Sequence, residues 1–96
     1  MGTREILSVL GEYKRQSAKA YGIVALGVFG STARDTASEE SDVDVVVSLL
    51  KPDLFAMAGI KAELEERIHR PVDLVVYRER MNRFLKQKID QEAIYV

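Results

Sequence analysis

Cysteine and tryptophan are both missing from the 96 residues, and proline occurs only twice. Without cysteine the chain cannot build a disulfide, a thiolate zinc centre or a cysteine nucleophile, which leaves the hard oxygens of carboxylates as the main candidates for metal ligands. A surplus of positive charge is missing too: fourteen basic side chains stand against fifteen acidic ones, a formal net charge of -1. Binding a phosphate backbone without regard to sequence needs a strong basic surplus, so no direct nucleic-acid partner is expected. No stretch approaches the roughly 20 consecutive apolar residues that cross a bilayer. Arg4 and Glu5 precede any apolar run, unlike a signal peptide, and the expectation is a cytoplasmic protein without membrane contact.

What remains is the composition of an ordinary globular protein, 47% hydrophobic and 30% charged. Such a length buries one modest core, which predicts a single domain over residues 1–96. From Thr3 to about Tyr21, Ile6, Leu7, Leu10 and Tyr13 fall at helical spacing, with Thr3 as the expected N-cap and Gly22 as the stop. Ile23 to Phe29 is a short apolar run between two glycines and reads as a buried strand. Thr32 to Thr36 predicts a helical turn, and Ala37 to Ser41 a surface loop.

A second strand is expected over Val43 to Leu49, with Val45 and Val47 on the face opposite Asp42, Asp44 and Val46. Pro52 suits the first turn of a further helix whose stripe would be Leu54, Met57, Ile60, Leu64 and Ile68, with Lys61, Glu63, Glu66 and Arg67 facing water. Arg70-Pro71 forces an extended entry into a third strand, Val72 to Tyr77. A basic helix over Glu79 to Asp90, built on Met81, Phe84, Leu85 and Ile89, precedes a short tail to Val96. The order helix, strand, turn, strand, helix, strand, helix implies an α/β layer fold.

Gly30 and Ser31 stand where a buried strand gives way to a helical turn, which leaves backbone N–H groups unpartnered and suits a phosphate. Glycine allows close approach of the main chain, and the serine hydroxyl can donate a further bond. A Gly-Ser pair is also an ordinary turn. Asp42 and Asp44 lie two apart on a strand, so their side chains share a face, with backbones about 7 Å apart. Their carboxylates can converge on cations such as magnesium, which takes one or two carboxylates completed by water and phosphates. A solvated strand face protected by its charges would look the same. If the second and third strands are neighbours, Asp73 joins the pair. Three like charges so close persist only where cations or raised pKa values compensate, although a strand-end Asp in a solvated turn is the plain alternative.

The joint spacing carries more than the parts. Gly30-Ser31, ten intervening residues and Asp42-x-Asp44 match by chance in a chain this short on the order of once in a thousand. The stretch Phe29-Gly30-Ser31-Thr32-Ala33-Arg34 through Ser41-Asp42-Val43-Asp44-Val45, with Val72-Asp73-Leu74-Val75 downstream, resembles the minimal nucleotidyltransferase family of the DNA polymerase β superfamily over nearly the whole chain. The resemblance implies a small mixed sheet of three strands with packed helices, and a cleft for ATP and two magnesium ions. In that pattern Gly30, Ser31 and Arg34 hold the nucleotide. Asp42 and Asp44 bind metal, and Asp73 completes the metal site and helps activate the attacking hydroxyl. The family further implies an antitoxin that transfers AMP from ATP to a tyrosine of a HEPN-domain toxin, within a hetero-oligomer.

Family members commonly carry glycine after the arginine of the first motif, whereas Asp35 follows Arg34 here. Asp tolerates a left-handed turn, so the fold is expected to survive, but Arg34 is left with two roles, phosphate contact or an ion pair. His69 reads as a surface residue, and Arg78, Arg80, Arg83, Lys86 and Lys88 as a solvated basic helix face. Tyr13 reads as core and Tyr95 as part of a packed tail. Two other functions stay open: a binding module that neutralises its partner by contact alone, and a subunit that nucleotidylates a small molecule. The second is disfavoured because the length leaves no separate acceptor-binding module.

Overall fold

A computed structural model describes residues 1–38 and 40–96, which leaves Glu39 of the expected surface loop outside the described residues. Helix α1 (Thr3–Tyr21) ends where Gly22, at φ 69°, returns its amide to the Ala18 carbonyl. The chain then runs through β1 (Ile23–Val28), α2 (Gly30–Ala33), β2 (Val43–Leu49), α3 (Leu54–Ile68), β3 (Val72–Val76), α4 (Arg83–Glu92) and β4 (Ile94–Tyr95). Among the described residues no helix is long and apolar enough to cross a membrane.

The sheet order is β3-β2-β1-β4, with β2 and β3 parallel and both β1 pairings antiparallel. Four strands replace the three expected. The fourth has only two residues, too few for a period-two signal, and it exists because Gly27 on β1 lacks a side chain. An added Cβ there would run into the Ile94 carbonyl oxygen and come within 3.0 Å of Tyr95 Cα. The tail is tied down further by Val96, whose amide donates to the Leu26 carbonyl at 2.9 Å.

Strand β2 is buried on both faces, as befits a central strand with a parallel neighbour. Val43, Val45 and Val47 pack with Ile6, Leu10 and Tyr13 of α1 and Ile60, Leu64 and Ile68 of α3. Val46 points the other way, onto Phe29 and Ile89 of α4. All four valines are 0% exposed. The second core is the smaller, and the same sheet face continues past Val46 to Asp44, so the charged positions lie where apolar filling stops.

Several local expectations are corrected. Thr3 lies inside α1 with Gly2 in the cap position; the capping oxygen comes instead from Asp35, whose Oδ1 is 3.3 Å from the Thr3 amide and 2.9 Å from its hydroxyl. Pro52 falls before α3, whose cap is Asp53, accepting from the Phe55 amide at 2.9 Å. Leu54 then precedes the buried stripe and is 80% exposed, while Ala56 supplies the first buried contact. Helix α2 starts at Gly30, two residues before the expected turn, and α4 starts at Arg83 because Asn82 caps it by accepting from the Leu85 amide at 3.0 Å. That phase leaves Phe84 78% exposed.

Glu63, expected to face water, accepts hydrogen bonds from the hydroxyls of Tyr13 (3.2 Å) and Tyr21. It thereby staples α1 to α3, and Gly59 makes room, since a Cβ there would stand 2.7 Å from the Tyr21 hydroxyl. Burial, and then the Glu63 carboxylate, push the Tyr13 phenol above its ordinary range, so it stays a donor.

Replacing Gly27 with Ala should push β4 off the sheet and cost about 1–3 kcal/mol, read as a lower urea midpoint.

Candidate active site

The backbone of Asp44 is held from both sides. Its carbonyl accepts from the Phe29 amide at 3.1 Å, and its own amide donates to Thr32 Oγ1 at 3.0 Å. Thr32 is 1% exposed and does this from α2, a role invisible in a stretch read only as a helical turn. Between these anchors Gly30 adopts φ 61°, open to glycine at little cost. A Cβ on Gly30 would stand 2.6 Å from Asp44 Oδ2, so any side chain there, besides straining φ, would have to displace the Asp44 carboxylate. The Gly30 corner and the Asp44 carboxylate are thus one feature.

Asp73 of β3 is in register with Asp44, and parallel partners project to the same side of the sheet. Asp42 precedes β2 by one residue, exposed, on the same pleat phase as Asp44. Two bonds from Arg70 hold the loop before it: the Nη2 group donates to the carbonyls of Ser38 (2.7 Å) and Ser41 (2.8 Å). Sequence reading used Arg70 only as the residue before a proline and missed this clamp. Val43 then starts β2 by donating its amide to the Pro71 carbonyl at 2.9 Å.

The Asp44 carboxyl is pushed above its ordinary value of 3.8, by burial first and then by the charge of Asp73; Asp42 adds to the rise, while Lys88 and Arg34 oppose it. A group in that state attracts a cation, whether proton or metal. Among the described residues no three His, Asp or Glu side chains are grouped so that together they could hold a metal ion, so Asp42, Asp44 and Asp73 share a side of the sheet without converging on one point. The donors are hard carboxylate oxygens on an open corner, which fits a magnesium ion that draws its remaining ligands from water and phosphate.

Ser31 lies in α2 next to this corner, half-buried, with its carbonyl accepting from the Thr36 amide at 3.0 Å. Arg34 is engaged elsewhere: its Nη1 lies 2.8 Å from each carboxylate oxygen of Glu92 at the end of α4. Of the two roles left open for it, the structure contains the ion pair. Asp35 follows at φ 57°, the left-handed turn expected of it. His69 is exposed and caps α3 in a left-handed conformation. Two concavities of the surface, one around Tyr21, Gly22, Leu50 and Phe55 and one around Lys14, Arg15, Lys19 and Val96, contain none of the candidate residues.

The family model for polymerase beta nucleotidyltransferases matches residues 12–96. The chain belongs to this nucleotidyltransferase family. It is 32% identical over 93 residues to the protein adenylyltransferase MntA of Thermococcus cleftensis, covering 96% of this chain and 93% of that one. A solved structure assigned as a minimal nucleotidyltransferase superposes with a TM-score of 0.80 at 30% identity, covering 98% of this nucleotidyltransferase and 95% of the other chain. The MNT antitoxin solved in complex with a tri-AMPylated Shewanella oneidensis HEPN toxin shares the fold, at a TM-score of 0.70 and 18% identity, over 97% of this chain and 70% of that chain.

The raised Asp44 pKa has a sign that can be tested. Its cost to stability is absent below 3.8, appears as pH rises towards the raised folded value, and is complete above it. Asp44→Asn should therefore raise the thermal midpoint at pH 7 in metal-free buffer, and the gain should vanish on acidification below pH 3.8.

Proposed function

We propose that this nucleotidyltransferase is an antitoxin that moves AMP from ATP onto a tyrosine of a HEPN-type toxin, and that residues 1–96 act as a single cytoplasmic domain. The observation that carries the proposal is the Gly30 corner pressed against Asp44, with Asp73 in register beside it. The adenylyltransferase relative and the antitoxin bound to an AMPylated toxin support the choice of donor and partner.

In this reading the amides around Gly30 and Ser31 hold the triphosphate, and Asp42, Asp44 and Asp73 bind magnesium, with two ions expected. Magnesium, when bound, neutralises phosphate charge. The tyrosine oxygen attacks the α-phosphorus, forming the new P–O bond as the bond to the β-phosphate bridging oxygen breaks. Pyrophosphate leaves with that electron pair, and Asp73, exposed at the mouth of the corner, accepts the tyrosine proton. The chain's contribution is alignment and charge placement on a rigid strand pair. Arg34, held by Glu92, serves by fixing α4 beside the corner.

Asp42→Asn and Asp44→Asn should each lower transfer by about a hundredfold or more without unfolding the chain, since each removes a metal-binding charge and keeps the shape. Mass spectrometry of the partner after incubation with ATP and magnesium reads the result as added AMP groups. No added mass with the unsubstituted chain would overturn the enzyme. Neutralisation of the toxin in cells by the doubly substituted chain would show that contact alone suffices.

A further inference from the structure

The corner needs a cation for the phosphates that are not transferred. The motif's arginine is occupied: Arg34 is clamped to Glu92. What that clamp brings to the corner is α4, and one turn before Glu92, on the same helical face, stands Lys88.

The methylene stem of Lys88 passes directly over the glycine. A Cβ built on Gly30 would lie 3.6 Å from Lys88 Cε, and the same point is 2.6 Å from Asp44 Oδ2. Main chain, carboxylate and lysine stem therefore converge on one spot. Helix α4 cannot easily carry Lys88 away, because Ile89 is buried against Phe29 and Val46, and the Tyr77 hydroxyl donates to Asp90 at 2.7 Å. The Lys88 charge also reaches the carboxylate, lowering the Asp44 pKa against the rise caused by Asp73. Among the described residues Lys88 forms no direct ion pair, so its ammonium is available to a ligand.

We propose that Lys88 is a nucleotide-binding residue that grips the β- and γ-phosphates of the triphosphate above Gly30, and that in the ligand-free chain it serves as counter-charge to Asp44. An ammonium on a flexible stem suits this double duty, since it acts as a point charge that can swing between carboxylate and phosphate. The inference rests on reading the corner as a nucleotide site.

The test is calorimetric titration of the full chain with magnesium and, separately, ATP, inorganic triphosphate and AMP. Lys88→Gln should weaken ATP and triphosphate by about tenfold, the usual size of one charge-assisted phosphate contact. Its AMP affinity should stay within about twofold of the parent, and Lys88→Arg should recover most of the loss. Equal weakening of ATP and AMP would assign Lys88 to structure and overturn the proposal, as would ATP binding unchanged in Lys88→Gln. If ATP binds the unsubstituted chain and Lys88→Gln alike, only this inference falls. If the unsubstituted chain binds no ATP, the nucleotide site falls and Lys88 with it.

Discussion

Two carboxylates from neighbouring parallel strands are forced to share one side of a sheet, and the rest of the molecule is arranged to hold them there. Asp44 faces Asp73 across a ladder that gives neither strand freedom to slide, because a one-residue slip would turn Val43, Val45 and Val47 out of the core. Each of those valines contributes about 1.5–3 kcal/mol by burial. That burial offsets the repulsion between the carboxylates, which is still visible in the raised pKa of Asp44.

The two sides of the sheet differ in how they are secured. On one, α1 and α3 bury long apolar stripes and are bridged by Glu63. On the other, α4 has a single fully buried side chain, Ile89, and is tied to the rest by polar bonds from Arg34 and Tyr77. The candidate site therefore lies between a floor made by β2 and β3 and a helix fixed at one buried side chain and a few polar contacts.

How much of this was legible in the chain depends on the range of the forces involved. The long helices and the three longer strands follow from periodicity, which is local, and the pairing of Asp44 with Asp73 follows once β2 and β3 are neighbours. The Asp35 turn was legible because left-handed tolerance belongs to the residue itself. By contrast, β4 is set by the missing side chain of Gly27, a distant residue. Glu63 counted as solvated because nothing in its own helix announces two tyrosines from α1. Thr32 and Arg70 share that difficulty: their importance is a matter of which backbone they meet, and no spacing rule encodes it. Leu54 and Phe84 are exposed because the caps at Asp53 and Asn82 place them in the first turn of their helices, before the buried residues begin.

At the left-handed turn after α2, the Asp35 side chain does not simply point into solvent. Its carboxylate instead reaches back over thirty positions to close the first turn of α1, where the helix dipole favours a negative charge. Loop and helix are therefore joined into one mechanical unit, and motion of the Gly30 corner must either drag the start of α1 along or break those bonds. Aspartate at this position makes the connection a strut, so the corner and the head of the first helix keep a fixed relation to each other.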